Sequence, residues 1–251
     1  MSAAIALHNL TVAYERRAAV HHLNGRFEAG SLTAIVGPNG AGKSTLIKAI
    51  VGALKPATGR VERGQLATRT MGYLPQAAEI DRSFPLSVAD VVAMGAWRSI
   101  GAFFGLGREQ AQRTAAALQA VGLEGFAGRS MGSLSAGQVQ RVLFARLLVQ
   151  DAAVIVLDEP FTAIDARTTH DLLQLVHTWH GQGRTVIAVL HDLEQVREHF
   201  PQTLLLARDA IAWGNTAEVL SIDNLRQARN MAEYWSAAAE LCSQHPEEPG
   251  P

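Results

Sequence analysis

The sequence has almost no cysteine. Cys242 is the only one in 251 residues, so no intrachain disulfide can form, and a reducing compartment is expected. Neither sign of charge is in excess: 22 Lys and Arg against 23 Asp and Glu leave a net charge of −1. A chain so balanced lacks the basic surplus of a nucleic-acid-binding surface, and no nucleic-acid partner is expected. No apolar run approaches the ~20 residues that cross a bilayer. The start, residues 1–8, lacks the basic-then-apolar form of a secretory signal. There is no internal repeat and no linker rich in Pro, Gly or Ser. These absences predict a soluble or peripheral protein. Hydrophobic residues make up 48% of the chain, enough for a sizeable core in one large domain or two small ones.

One stretch organises the rest. A short apolar run, residues 32–36, leads into Gly37-Pro38-Asn39-Gly40-Ala41-Gly42-Lys43-Ser44-Thr45, and a helical pattern follows with Leu46, Ile47 and Ile50 on one face. Gly37 to Ser44 satisfies G-x-x-x-x-G-K-[ST] in the strand–loop–helix setting of a phosphate-binding loop. Glycines let successive backbone N–H groups converge on phosphate oxygens, and the new helix adds its positive dipole end. Lys43 brings a point charge to the β- and γ-phosphates, and the Ser44 hydroxyl can hold Mg²⁺.

A second apolar run, residues 152–157, ends in Asp158-Glu159-Pro160. A continuous apolar run of this kind is buried on both faces, as in a parallel sheet. Ligands of such sheets sit at the carboxyl ends of strands. Isolated acidic pairs are usually solvated surface, whereas a pair ending a buried strand beside a phosphate loop is a metal and catalytic candidate. Residues 185–190 form another such run and end in His191. A lone histidine is more often structural, but this one shares the strand-end position of the two carboxylates.

The remaining segments read as follows. Strands are expected at residues 5–12, 20–27, 59–61 and 71–74, with an edge hairpin from residues 203–206 and 210–213. Tyr14, upstream of the phosphate loop, is either a packing residue or an aromatic that stacks on a purine. Residues 77–148 read as mostly helical. Ser87 with Asp90 opens one helix, whose apolar face takes Val88, Val91, Val92 and Trp97. Residues 108–121 form another, stopped by Gly122. Ser135 followed by Gln138 is a capping box for the next, and Asp165 starts a further helix. The run from Ile100 to Leu106, with Phe103 and Phe104, is too short for a membrane span and oddly apolar for a loop. Residues 224–242 read as a terminal amphipathic helix and 246–251 as a disordered tail. Cys242 and His245 alone make a poor zinc site, which takes four ligands.

In order along the chain stand the phosphate loop, Gln76, Leu134-Ser135-Ala136-Gly137-Gln138, Asp158-Glu159 and His191. This series resembles the ATP-binding cassette (ABC) ATPases over roughly residues 4–221. The resemblance implies an α/β phosphate-loop NTPase fold with a mixed-sheet core lobe (about residues 1–76 and 149–222) and an inserted helical lobe (about 77–148). Residues 1–222 then form the ATP-binding domain, and 223–251 a terminal helix and tail. It implies that Tyr14 stacks on adenine, that residues 37–45 cradle ATP, and that Gln76 senses Mg²⁺ and the attacking water. Asp158 holds the Mg²⁺ water shell together with Ser44 and Gln76, Glu159 is the general base, and His191 contacts the γ-phosphate. Leu134 to Gln138 is the signature that caps the ATP of a second, head-to-tail copy, and Asp165 lies in the loop touching that copy. The family usually has Gly where this chain has Ala136. As the first helical residue after an N-cap, alanine there is unstrained.

Within the family, residues 81–95 and the hairpin at 206–215 are similar to the ATPase subunits of bacterial zinc and manganese importers. Iron-siderophore and cobalamin importers share much of the pattern. That resemblance implies an integral membrane permease, with Phe103 and Phe104 expected at or near its contact, a periplasmic or surface metal-binding protein, and a peripheral position on the cytoplasmic face of the cell membrane. A soluble ABC ATPase of DNA repair or translation is the next class, but the chain lacks sustained heptads and a second cassette. A phosphate-loop small-molecule kinase would leave the capped Ser135 helix and His191 without a role.

Overall fold

The computed structural model describes residues 4–14, 17–64, 66, 70–76, 79–82, 84–97 and 107–244, without the side chains of Tyr14, Arg17 and residues 235–244. Phe103, Phe104 and the expected tail therefore lie outside the described residues, as do the side chains of Tyr14 and Cys242.

Two sheets share the β-structure. β1 (Ile5–Tyr14) pairs antiparallel with β2 (Arg17–Phe27) and with β4 (Thr58–Glu62) in a three-stranded sheet. The second sheet has the order β5-β6-β7-β3-β8-β9, built from β3 (Leu32–Val36), β5 (Gly72–Leu74), β6 (Val154–Asp158), β7 (Thr185–Val189), β8 (Gln202–Ala207) and β9 (Asp209–Asn215). Its first five strands run parallel, and β9 closes the edge antiparallel. Every residue of β3, β6 and β7 is buried, as the uninterrupted apolar runs require of parallel strands covered on both faces. One face packs on β1 and β2 through Ile5, Leu7, Val20 and Phe27, together with α1 (Lys43–Ile50). The other face carries helices, with Leu172, Val176 and Trp179 set against it.

Between β5 and β6 come α2 (Val88–Ala93), α3 (Arg108–Ala120) and α4 (Ala136–Gln150). Ser87 caps α2 in a reciprocal box with Asp90, and Ser135 does the same for α4 with Gln138. Each cap satisfies an amide that a helix start otherwise leaves open. Trp97 departs from the expected apolar face. It is 60% exposed, whereas Val88, Val91 and Val92 are buried. The α2 spiral tightens into a 3₁₀ turn at Met94–Ala96, which turns the following residue out of the 3.6-residue stripe. Gly95 allows this approach to α4, because a Cβ there would lie 2.3 Å from the Arg146 carbonyl.

The chain then forms α5 (Ala166–Gly181), α6 (Leu193–His199), α7 (Thr216–Val219) and α8 (Ile222–Gln244). α4 and α5 are locked by the stack of Phe144 on Trp179, 5.7 Å between centroids and 7° between planes. Leu225, Ala228 and Met231 dock the start of α8 on the core. Among the described residues, no helix is long and apolar enough to cross a membrane.

Candidate functional site

Four neighbouring strands, β6, β7, β3 and β8, end on one edge of the parallel sheet. Each delivers something there. β6 ends in Asp158-Glu159, β7 is followed by Leu190-His191, β3 runs into the phosphate loop, and β8 runs into the turn at Arg208. A cavity of about 870 Å³ opens along this edge, lined by residues 39–45, Glu159, His191, Arg208, Ala18 and Ala19.

The loop needs glycine at its two ends for reasons of contact as well as dihedral angle. A Cβ on Gly37 would meet the Leu206 carbonyl oxygen at 1.9 Å, and one on Gly42, at φ 90°, would meet the Ala19 carbonyl oxygen at 2.1 Å. The loop is thus wedged between β8 and β2. Lys43 is 6% exposed. Its ammonium donates to the carbonyls of Gly37 at 2.8 Å and Pro38 at 2.9 Å, which leaves one of three donors for an anion. Burial lowers its pKa, while the carboxylates of Glu159 and Asp158 act against that shift.

Asp158 is fully buried. The Ser44 hydroxyl donates to its Oδ1 at 3.2 Å, and its Oδ2 has no hydrogen-bond partner among the described residues. Desolvation pushes its pKa up to about 6, with the Ser44 bond acting against the shift. A buried carboxylate oxygen without a donor, beside a serine hydroxyl at the end of a phosphate loop, fits a hard divalent cation that keeps waters in its shell. Among the described residues there is no group of three or more His, Cys, Asp or Glu side chains that could hold a metal by themselves, and Mg²⁺ bound with phosphates requires no such group.

Glu159 is the hub of the opposite flank. Gln76 Nε2 donates to its Oε2 at 2.9 Å, His191 Nε2 lies 2.5 Å from its Oε1, and the Thr162 hydroxyl reaches Oε2 at 3.4 Å. Its backbone is left-handed, at φ 49°, and its amide donates to the Val189 carbonyl of the neighbouring strand. This sharp exit turns the carboxylate across the strand ends instead of along the strand. A carboxylate held by these three groups on the rim of such a cavity can orient and deprotonate a water.

The signature residues stand elsewhere. Leu134 is core, Ser135 and Gln138 complete the cap of α4, and none of residues 134–138 lines the cavity. A Cβ on Gly137 would meet only Ile164 Cγ2, at an ordinary 3.7 Å, so none of the described residues crowds that position. The Asp165 carboxylate is committed to its own helix, accepting from the Thr168 amide and hydroxyl, both at 2.8 Å. Two features escaped the sequence. Gln140, 2% exposed, donates to the Pro160 carbonyl at 2.6 Å, and a polar residue on the apolar side of a helix was its only signal. Arg208 had no signal beyond its place in a hairpin turn.

The orphaned Asp158 oxygen yields a test. With the folded carboxyl titrating near 6 against an ordinary 3.8, the native state holds more protons than the unfolded one across that window. Stability therefore falls as pH rises through it. Asp158→Asn is expected to raise the melting temperature of the metal-free protein at neutral pH and to abolish turnover. The gain should vanish as pH falls toward 4, and thermal melts across pH check this. A lower melting temperature at neutral pH contradicts the reading.

The chain matches a model of the ABC transporter family over residues 20–162. It is 39% identical over 229 residues to TroB, the zinc transport system ATP-binding protein of Treponema pallidum, covering 90% of this chain and 86% of that one. It is 39% identical over 227 residues to MntB, a manganese transport system ATP-binding protein of Bacillus subtilis, covering 89% and 91%. Among solved structures, it matches an inward-facing metal-chelate-type ABC transporter with a TM-score of 0.78 at 32% identity, over 89% of this chain and 87% of that one. A dimeric bacterial ABC transporter cassette matches with a TM-score of 0.74 at 27% identity, over 84% and 98%. The family match spans more than half of a chain whose strand edge is already arranged for phosphate and water, and the chain belongs to the ABC transporter family as an ATP-binding, ATP-hydrolysing cassette.

Proposed function

We propose that this cassette energises a bacterial importer of zinc or manganese. The observation that carries the cargo is the naming of relatives such as TroB and MntB, at 39% identity over about nine-tenths of the chain. The cassette itself has no contact with the cargo in this reading. A second reading, import of a metal chelate such as an iron-siderophore or cobalamin, is favoured by the metal-chelate-type transporter among the structural neighbours.

The hydrolytic mechanism rests on Glu159. Residues 37–45 take the phosphates of ATP on backbone amides, with Lys43 adding charge to the β/γ end and Tyr14 stacking on the adenine. Ser44, Asp158 and Gln76 would hold Mg²⁺ through its waters, and the ion would supply charge neutralisation for the phosphates. Glu159 accepts the proton of the attacking water, and Gln76 and His191 fix its orientation. His191 also anchors the γ-phosphate. The phosphate cap comes from Ser135 and Gly137 at the start of α4 of a second copy, since a helix N-terminus and a hydroxyl together favour an anion. Asp165 lies beside that junction. Two chains then enclose two nucleotides head to tail. We assign residues 1–222 to this domain, its helical lobe to about 77–148, and 223–251 to a terminal extension.

The permease is assigned to the face formed by α2 and the segment after Gln76, with the cassette on the cytoplasmic face of the membrane and a metal-binding protein on the far side. Phe84 at 61%, Trp97 at 60% and Met94 at 37% exposure put large exposed apolar side chains there, and exposed apolar patches mark interaction sites.

Two measurements check these readings. Glu159→Gln removes the proton acceptor while keeping the size of the side chain, with one of its two acceptor oxygens replaced by a donor, so ATP binding should persist while turnover falls by at least ~100-fold. The variant should double in mass with MgATP on a sizing column, and near-normal turnover would remove Glu159 from the base role. Phe84→Asp with Trp97→Asp places charge on exposed positions, so melting and ATP binding should stay unchanged. Co-purification with the co-expressed permease should be lost, and its retention would contradict the assigned face.

A further inference from the structure

The cavity is lined by a second basic residue besides Lys43. Arg208 stands between β8 and β9, where Ala207 pairs with Asp209 across a single turn residue. Its backbone is pinned on both sides. Its amide donates to the Ala41 carbonyl of the phosphate loop at 3.0 Å, and its carbonyl accepts from the His21 amide of β2 at 2.9 Å. It is half-buried and lines the nucleotide cavity.

Two facts set this residue apart from an ordinary turn residue. Its φ is 65°, a left-handed angle that favours Gly, Asn or Asp and disfavours a long side chain. Backbone preference therefore does not account for arginine here, and what the position gains is a guanidinium. The strand order then fixes which end of the nucleotide that group meets. Along the edge the sequence is Glu159 after β6, His191 after β7, the phosphate loop after β3, and Arg208 after β8. Arg208 thus flanks the phosphate loop on the side away from the hydrolytic pair. It shares that side with Ala18 and Ala19 at the start of β2, the strand reached from Tyr14.

We propose that Arg208 is a nucleotide-binding residue in cis, its guanidinium taking non-bridging oxygens of the phosphate nearest the nucleoside. The inference rests on the reading of this cavity as the nucleotide site. A planar fork of donors suits two phosphate oxygens at once. The α-phosphate is common to ATP and ADP and does not change bonding during γ-phosphate hydrolysis. Arg208 therefore contributes to affinity for both nucleotides equally and adds nothing to the hydrolytic step.

Arg208→Gln, titrated with MgATP and MgADP by calorimetry, should weaken both by a similar factor, about tenfold for the loss of a charge-assisted pair. Affinity for adenosine should not change. Arg208→Lys keeps the charge but not the planar fork and should recover part of that affinity. That combination separates a ligand contact from a structural one. Unchanged nucleotide affinity in both variants overturns the proposal, and so does a loss confined to ATP, which would place the side chain at the γ-phosphate. Lys43→Ala serves as the control for the cavity itself: binding that survives it refutes the cavity reading, whatever Arg208 does.

Discussion

The parallel pairing of β6, β7, β3 and β8 is the constraint from which the rest follows. β3, β6 and β7 are buried along their whole length, so they can carry no solvated polar group within the sheet. Chemistry is possible only where they stop. Because neighbours in register stop together, four strand ends deliver a phosphate loop, two carboxylates, a histidine and an arginine to one edge. The left-handed turn at Glu159 and the glycines wedged against β8 and β2 are local costs of crowding so many groups there. Burial also accounts for the Asp158 oxygen left without a hydrogen-bond donor among the described residues.

α4 ties this edge to the distant signature residues. Near its start, Gln140 donates to the Pro160 carbonyl, immediately after Glu159. Near its end, Arg146 donates to the Tyr73 carbonyl and Gln150 to the Met71 carbonyl, on the strand that leads to Gln76. Arg141, between them, reaches the Val121 carbonyl and Asp171 on the flanking helices. One helix thus presents the capped Ser135 terminus outward while gripping the chain on both sides of the Glu159–Gln76 contact.

The long apolar strands, the phosphate loop and both capping boxes were legible because each is a local pattern that its own residues enforce. β1 was legible only in part. Its buried residues are Ile5, Leu7, Leu10 and Val12, an alternation that resets between Leu7 and Leu10, where the pairing shifts register and Asn9 is left-handed. A bulge of this kind breaks the period of two on which strand reading depends. Trp97 misled because a helical stripe extrapolates through a turn that tightens. Arg208 and Gln140 were invisible because their roles depend on partners 167 and 20 residues away, which no local pattern encodes.

The central claim is that one chain supplies the hydrolytic edge and a second chain supplies the cap. A pair of thiols tests it directly. In a Cys242→Ser background, Asn39→Cys on the phosphate loop and Ser135→Cys at the signature are both on exposed positions. Combined in one chain with Glu159→Gln and treated with a short bifunctional thiol reagent, they should form a covalent dimer that depends on MgATP. Each thiol should be joined to the other position of the second copy in peptide maps. Cross-links confined to single chains, or the same yield without nucleotide, would contradict the account.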